Sequence, residues 1–476
     1  MICYSSNART TPMKITNYLP ALTLCLLLSL GTLSNAQAPR LTDDFKDATI
    51  TAAADLLTDT YVFADKGKQA ASRLVELNKR GHFDRYLDLE AFADEMTRAI
   101  YAVTNDNHIS VSLKPPEQTV GDPLQQWISS RMSERDYYRK NNANFKAISK
   151  IHGNVGLLDL RGFYGLAWGK DFADYAMHML STSDAIIIDL RNNHGGRGDM
   201  VEYLLSHFFA EPVATTKATK RQGDTYTETL SYTKALPNIR TMPDIPLFVL
   251  ISSDTYSAAE GFSYPLKNYG RALFIGATTK GGANPGDLLS LNDQLNIFIP
   301  DVSVTHPTKN ESWENVGIKP DVEARSGDAL GIAIQMAQRA AESYRSDNDE
   351  KARRLLIHLD KTIKTYEHEP VNDAITNAYL ACRANDLIFE RWEINSLAHN
   401  YLNRGNHPAT AAALFKANTV LYPQSSSAHA NYAEALVRDG QMSAAISAFS
   451  QAVSLGEKYG DTNTQRYRDR LQTLRN

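Results

Sequence analysis

The sequence is poor in the features that mark several large classes of protein. Lys and Arg total 50 against 54 Asp and Glu, a net charge of −4, and no long basic run stands out. Nucleic acid is therefore not an expected partner. Charged residues make up 22% and hydrophobic residues 43% of the chain, which argues against a disordered or fibrous protein. At 476 residues the chain exceeds the usual size of one hydrophobic core, so two or three structural units are expected.

Cysteine is also scarce. Of the three cysteines, Cys3 and Cys25 lie in an N-terminal segment that we expect to be removed, which leaves Cys382 alone. A mature chain with one cysteine forms no internal disulfide and depends on its apolar core. The histidines do not cluster with cysteines or carboxylates at ligand spacing. We therefore predict no metal site and no cofactor.

Long apolar runs are absent apart from one near the N-terminus. Lys14 precedes an apolar run from residue 19 to 33, and Ser-Asn-Ala at 34–36 offers small residues for a signal peptidase. The run is shorter than the roughly 20 residues that span a bilayer. We predict a signal peptide over residues 1–36 and an exported protein, periplasmic or secreted, that is not an integral membrane protein after cleavage.

The rest of the chain divides into regions of different periodicity. Residues 41–105 have apolar side chains at helical spacing, which predicts a helical N-terminal subdomain. Residues 106–325 alternate short apolar runs with amphipathic segments, a pattern typical of an α/β core. Residues 326–393 predict a helical connector, whose first helix should end near Ser346.

The C-terminal region, residues 394–476, is predicted to be all-α and contains a short repeat. Three residues recur 34 positions later, namely Leu402, Ala411 and Phe415 as Leu436, Ala445 and Phe449. That period is typical of tetratricopeptide repeats, although two copies are fewer than such arrays need. An unrelated pair of helical hairpins is the alternative. Tetratricopeptide-like repeats here could bind a protein partner or form a dimer contact.

Ser257 lies where a nucleophile could be placed. It follows the apolar run 247–251 and a short polar turn, and it opens the amphipathic segment 257–267. A strand, a turn and a helix in this order aim the side chain outward, towards the free amides of the first helical turn. The alternative is a helix cap, because serine is a common N-cap and Glu260 completes a capping box.

A serine hydroxyl needs a neighbouring base, and His108 is the best placed of twelve histidines. It ends the polar turn 105–108, before an alternating run at 109–113 that predicts a strand. Its alternative role is a turn histidine bonded to the backbone. Glu314, which precedes a turn containing Gly and Pro, could orient the histidine or be a solvated loop carboxylate.

A glycine-rich loop follows a third apolar run. Residues 189–196, which begin at the end of the apolar run 185–190, read Asp-Leu-Arg-Asn-Asn-His-Gly-Gly. Adjacent glycines let the backbone approach a ligand closely. A phosphate loop is the alternative, but no Lys followed by Ser or Thr comes after the glycines, so nucleotide binding is not expected.

Three of these segments, in this order, resemble the tail-specific protease family. They are 189–196, Ser-Ala-Ala-Glu at 257–260, and Glu-Asn-Val-Gly-Ile-Lys-Pro-Asp at 314–321. The family includes C-terminal processing peptidases, the core of tricorn protease and the repeats of interphotoreceptor retinoid-binding protein. The resemblance covers roughly residues 41–325 and implies a crotonase-like (ClpP/crotonase-type) α/β core. It is greatest to the tricorn and retinoid-binding branch.

The resemblance also implies an active site. Ser257 would be the nucleophile, His108 the base, and Glu314 the carboxylate that stabilises the imidazolium, as in tricorn-like members. Other members pair the serine with a lysine that lies in Gly-x-x-Thr-x-Gly-Lys-Gly. Here Gly282 stands at that lysine's place, and Lys280, two positions earlier, is the alternative base.

Two departures from the family pattern are visible. The residue before the histidine is often serine, whereas here it is Asn107, whose amide would have to bridge Glu314 and His108. About 45 residues separate His108 from the strand at Asn154, too few for the PDZ domain of C-terminal processing peptidases. We therefore expect no PDZ domain.

The implied oxyanion hole consists of the amide of Gly195 or Gly196 together with that of Ala258. The predicted function is hydrolysis of peptide bonds in exported proteins or peptides. The alternative is a non-catalytic binding module that holds apolar ligands or peptides, as in retinoid-binding relatives. The joint presence of a serine, a histidine and a glutamate favours catalysis.

Overall fold

The computed structural model describes residues 41–114, 122–236 and 239–476. The predicted signal peptide, residues 1–36, lies outside these ranges. Within them, no helix combines the length and apolar character needed to cross a membrane.

Three helices form the first unit: α1 (Asp43–Thr60), α2 (Ala64–Lys79) and α3 (Leu89–Thr104). The side chains of Thr42 and Asp88 accept hydrogen bonds from first-turn amides, so they cap α1 and α3. Asn105 ends α3 in the left-handed conformation, with φ 54°. This reversal of the chain begins the turn that contains His108.

Strands and helices alternate through the next region. In chain order they are β1 (Ser110–Leu113), α4 (Pro123–Asn141), β2 (Phe145–Ile151), β3 (Val155–Leu160), α5 (Leu166–Leu180), β4 (Ala185–Asp189), α6 (Gly198–Leu205), β5 (Ala214–Gln222), β6 (Thr225–Tyr232), β7 (Leu247–Ile251), α7 (Ala258–Asn268), β8 (Leu273–Gly276), β9 (Gly286–Ser290), β10 (Leu295–Pro300), β11 (Val302–Thr305) and β12 (Val322–Glu323). The expected α/β character is confirmed.

A central sheet has the order β12-β8-β7-β4-β3-β2, and its pairs are parallel except for β2 with β3. Strands β4 and β7 are buried along their whole length, as expected of apolar strands covered on both faces. Parallel strands place their carboxyl ends at one edge of a sheet. The loops that follow β4 and β7, which carry Gly195 and Ser257, therefore meet there.

Two smaller antiparallel sheets have the orders β1-β10-β9 and β11-β5-β6. Strand β1 begins two residues after His108 and pairs with β10, so that Ser110 lies opposite Phe298. Ile109 and Val111 are buried in the same apolar cluster as the helices of the first unit. The pairing holds the histidine turn against the core.

Helix α8 (Ser326–Tyr366) covers the second face of the central sheet. The residues that face the sheet are buried alanines four positions apart, Ala329, Ala333, Ala337 and Ala341. The predicted end near Ser346 is wrong. The exposed polar stretch after Ser346 remains helical because Leu359 and Ile363, further along α8, are buried in the C-terminal apolar cluster.

The remaining helices are α9 (Ala374–Arg383), α10 (Arg391–Asn403), α11 (Pro408–Leu421), α12 (Ser426–Arg438), α13 (Met442–Tyr459) and α14 (Thr464–Arg475). The six repeated residues noted in the sequence are all buried in one cluster, together with Cys382. A helical C-terminal region is confirmed. Its assignment to tetratricopeptide repeats stays a prediction.

The packing of α8 predicts opposite effects for two neighbouring substitutions. Ala333→Leu should lower the free energy of unfolding by about 1–3 kcal/mol, because extra carbons must fit between helix and sheet. Gly331→Ala should raise it by about 0.5–1 kcal/mol, since Gly331 is an exposed helical residue with open space around it. Urea unfolding measures both, and a neutral Ala333→Leu would contradict close packing.

Candidate active site

The turn after β7 holds Ser257 in a strained conformation at the start of α7. Its φ of 54° and ψ of −120° are rare for a residue with a side chain. The Thr255 hydroxyl donates to the Leu190 carbonyl at 2.8 Å. The Tyr256 amide donates to the Asn193 carbonyl at 3.1 Å. Strain of this kind costs roughly 1–3 kcal/mol and persists where such contacts fix the backbone.

His108 is the side chain that meets the Ser257 hydroxyl, with 3.3 Å between Nε2 and Oγ. The imidazole side chain is 9% exposed and stacks on the Tyr256 ring, with 4.7 Å between centroids. Burial lowers the pKa of His108; the nearby charge of Asp106 opposes this shift, and that of Lys280 adds to it. A neutral imidazole with Nε2 facing the hydroxyl can accept its proton.

Asp106 is the carboxylate nearest to the histidine, and the sequence analysis missed its role. Its Oδ1 accepts a hydrogen bond from the His108 amide at 2.9 Å and lies 3.8 Å from His108 Nδ1. Its Oδ2 accepts hydrogen bonds from the Tyr61 hydroxyl at 3.1 Å and from Asn284 at 3.3 Å. Asp106 is buried, so these bonds offset its desolvation. The signal in the sequence was its place two residues before the histidine.

Glu314 lies in the same buried region but makes no hydrogen bond or ion pair with His108 among the described residues. Its Oε2 accepts from the Ala283 amide at 2.5 Å, and its buried Oε1 has no partner. Burial, followed by the charge of Asp106, raises the pKa of Glu314 to about 7. Asn107 is exposed and does not bridge the two side chains. The predicted contact of Glu314 with His108 is thus not made directly.

The predicted oxyanion residues differ in what their amides do. The Gly195 amide donates to Asn193 Oδ1 at 2.9 Å, so it is already used. In the described structure, the amides of Gly196 and Ala258 make no hydrogen bond to a protein acceptor, and both residues line a cavity with Ser257. Gly195 has another role: a Cβ there would lie 2.9 Å from that of Ser257, and its φ of 105° suits glycine.

Lys280, the alternative base, points elsewhere. Its Nζ lies 4.6 Å from the centroid of the Tyr256 ring, and no contact joins it to Ser257 in the described structure. A Cβ at Gly282 would lie 2.6 Å from His108 Cε1 and 2.2 Å from Tyr256. The position that carries lysine in other members is therefore filled here by the histidine and tyrosine rings.

The capping alternative for Ser257 is met in part. The Glu260 carboxylate accepts from the Ser257 amide at 2.9 Å, as in a capping box. The Ser257 hydroxyl itself faces His108. Helix capping thus fixes the backbone of Ser257 and leaves its side chain available.

A cavity of about 260 Å³ opens beside Ser257. Its apolar lining comes from α6, from the sheet β11-β5-β6 and from one buried tryptophan, namely Val201, Leu205, Ala218, Val302, Val304 and Trp313. An apolar side chain of a ligand would lose water-exposed area there. Among the described residues, no group of His, Cys, Asp and Glu could hold a metal ion.

Two families of known proteins match the chain. Residues 34–147 match the "N-terminal domain of Peptidase_S41 in eukaryotic IRBP", and residues 154–324 match "Peptidase family S41". The chain belongs to peptidase family S41. The resemblance inferred from the motifs is confirmed over nearly the expected range.

The S41 chain is also similar to curated relatives. It is 22% identical over 314 residues to a "Probable CtpA-like serine protease" of Staphylococcus epidermidis, a match covering 61% of this chain and 62% of that protein. It is 25% identical over 219 residues to "Carboxy-terminal processing protease CtpB" of Bacillus subtilis, covering 45% of this chain and 43% of the relative. The chain thus matches less than two thirds of the length of either relative.

Solved structures give more distant similarities. The photosystem II D1 C-terminal processing protease is 14% identical, with a TM-score of 0.37 over 59% of this chain and 93% of that one. The tricorn protease is 12% identical, with a TM-score of 0.41 over 63% of this chain and 37% of that one.

The raised pKa of Glu314 predicts a pH-dependent stability. Its folded-state pKa of about 7 exceeds the ordinary 4.5, so the stability that its protonated form contributes is lost as pH rises between these values. Glu314→Gln, which carries no charge, should therefore raise the free energy of unfolding relative to wild type at pH 8 and much less at pH 5. Urea unfolding at both pH values measures this.

Glu311→Gln is the matched control, because the Glu311 side chain is 68% exposed in the same loop. It should change the free energy of unfolding by less than about 0.5 kcal/mol at either pH. An equal effect of the two substitutions, or a larger effect of Glu314→Gln at pH 5, would contradict the assignment.

Proposed function

We propose that this protein is a serine peptidase in which Ser257 attacks the carbonyl carbon of a peptide bond. The observation that carries the proposal is the 3.3 Å contact between Ser257 Oγ and His108 Nε2, across 149 positions of sequence. As the C–O bond forms, Nε2 takes the hydroxyl proton, and it returns the proton to the leaving amine as the C–N bond breaks. Water then repeats these steps, releasing the acyl product and free Ser257.

The negative charge of the tetrahedral intermediate needs fixed donors. The amides of Gly196 and Ala258 are unused and line the cavity with Ser257, which supports their assignment to the oxyanion hole. Gly195 has a supporting role, because its amide is held by Asn193 and its missing side chain leaves space for Ser257. A binding module for apolar ligands needs neither the strained serine nor the free amides.

Asp106 is our choice for the carboxylate that positions the imidazole, in place of Glu314. It lies 3.8 Å from His108 Nδ1, and bonds of this kind often shorten when substrate binds. Glu314 would not contact the imidazole directly. Its charge and that of Asp106 raise the pKa of the Tyr256 hydroxyl, in addition to the effect of burial. Protonation of Glu314 near neutral pH would remove its repulsion with the Asp106 carboxylate.

The substrate is expected to be a peptide or protein with an apolar side chain beside the cleaved bond, since the lining of the cavity next to Ser257 is mostly apolar. The Bacillus subtilis relative is a carboxy-terminal processing protease, which favours polypeptides as substrates. An exported location is proposed from the apolar run at 19–33, and the C-terminal helices remain a candidate surface for a protein partner.

Labelling with a fluorophosphonate tests the nucleophile. The purified protein should be modified at Ser257, and His108→Ala should lower the labelling rate by at least about 10³-fold, because the hydroxyl loses its base. Lys280→Met should retain labelling while the acidic limb of the rate profile moves to higher pH, since Lys280 lowers the pKa of His108. Mass mapping of the adduct identifies the site.

Absence of labelling in folded wild-type protein would favour the binding module. Labelling that is lost in Lys280→Met and kept in His108→Ala would instead indicate a serine–lysine dyad.

The roles of the two carboxylates are distinguished by comparing the variants Asp106→Asn and Glu314→Gln. Asp106→Asn should lower kcat by about 10²–10⁴-fold, because the imidazole loses its orientation and its charge partner. The acidic limb of the pH–rate profile of Asp106→Asn should also move to lower pH, since Asp106 raises the pKa of His108. Glu314→Gln should lower kcat less. The reverse order, measured by kcat across pH 5–9, would return the role to Glu314.

A further inference from the structure

Helix α4 carries exposed apolar and basic side chains along most of its length. Its last turns are anchored, since Tyr138 lies edge-on to Phe172 at 5.4 Å between centroids. Tyr138 also contacts Trp168 at 6.0 Å, and Tyr137 stacks on Tyr164 at 5.9 Å. The preceding turns make no ring contacts among the described residues, and none of the helix's described side chains is fully buried.

The exposed face of α4 is apolar and basic together. Its exposed apolar side chains are Leu124, Trp127, Ile128 and Met132. Ile128, Met132, Arg135 and Arg139 follow one another at intervals of three or four residues, so they lie along one stripe. Neither Arg135 nor Arg139 has an ion-pair partner among the described residues. The helix as a whole carries four basic and two acidic side chains.

The distribution of apolar and basic side chains on α4 indicates which kind of partner it can bind. A helix that lies in a membrane surface separates its apolar face from its basic face. On α4 the arginines share the stripe with the apolar side chains, so insertion into lipid would bury their charges. A polypeptide whose carboxylates lie close to apolar side chains would complement both features.

The anchored end of α4 leads to the nucleophile. Tyr164, against which Tyr137 stacks, follows Phe163, and the Phe163 amide donates to the Gly195 carbonyl at 2.9 Å. Gly195 is packed against Ser257. The anchored end of α4 is thus linked through these contacts to the loop that packs against Ser257.

From these observations we infer that α4 is a docking surface for acidic, apolar segments of polypeptide substrates, a role that rests on the proposed peptidase function. The surface comprises Leu124, Trp127, Ile128, Met132, Arg135 and Arg139. Short peptides would reach only the cleft, whereas long, unfolded chains would also contact α4.

The test uses the full-length protein and compares its activity on a long and on a short substrate. The long one is β-casein, which is disordered and acidic, and the short one is a fluorogenic tetrapeptide. Replacing Trp127 and Ile128 together by Ser should raise KM for β-casein about ten-fold more than KM for the tetrapeptide, as expected for loss of an interface anchor. Arg135→Glu with Arg139→Glu should act in the same direction.

Leu87→Ser is the control, because Leu87 is 55% exposed in the loop between α2 and α3, and Trp127 is 62% exposed. It should change neither KM. A second measurement does not depend on catalysis: in a Ser257→Ala background, fluorescence anisotropy with labelled β-casein should show a Kd about ten-fold weaker once Trp127 and Ile128 are replaced.

Equal effects on both substrates, or the same effect from Leu87→Ser, would overturn the docking surface. So would unchanged β-casein binding combined with Trp127-dependent sedimentation on phosphatidylglycerol vesicles, or with Trp127-dependent dimers in light scattering. Absence of fluorophosphonate labelling at Ser257 would refute the peptidase, and the anisotropy measurement would still decide the docking.

Discussion

The active-site geometry depends on one buried carboxylate, that of Glu260. It accepts hydrogen bonds from the amides of Ser257, Gly281 and Gly282 at 2.9, 2.7 and 2.8 Å, and from the Thr279 hydroxyl. Burial raises the pKa of Glu260, and these hydrogen bonds act in the opposite direction. A buried carboxylate with partners on both oxygens is costly to displace. It therefore fixes the Ser257 backbone to the 279–282 loop.

Several side chains around Ser257 also pack on that loop. Gly282 leaves space for the rings of His108 and Tyr256, and its carbonyl accepts a hydrogen bond from Trp313 Nε1 at 2.9 Å. The histidine reaches the loop because β1, which follows it, pairs with β10. The N-terminal unit is thus part of the proposed active site, since the turn after α3 carries His108 and the buried Asp106. Neither half of residues 41–325 contains the site alone.

The sequence predicted those features of the fold and of the site that depend on local residue patterns. Apolar runs followed by polar turns placed Ser257 and Gly195 at strand ends, and family motifs selected His108. The sequence alone did not separate Asp106 from Glu314 as the carboxylate beside Nδ1, because Glu314 comes near the histidine turn only through tertiary packing. The use of the Gly195 amide by Asn193 is likewise a tertiary contact. Helix α8 was predicted too short because its exposed middle resembles a loop, whereas its buried ends determine its length.

Buried polar atoms without a hydrogen-bond partner lower the stability of the folded state. Seven buried side-chain atoms of the described residues lack a hydrogen-bond partner, and three of them are at this site: His108 Nδ1, Tyr256 Oη and Glu314 Oε1. Each such group costs about 1–3 kcal/mol, and the strained Ser257 backbone adds a similar amount. A fold can retain these groups only if its apolar core is large, as in the fully buried strands β4 and β7. Such a concentration in one place is unusual for a surface that only binds, and it is typical of a site whose atoms gain their partners during a reaction.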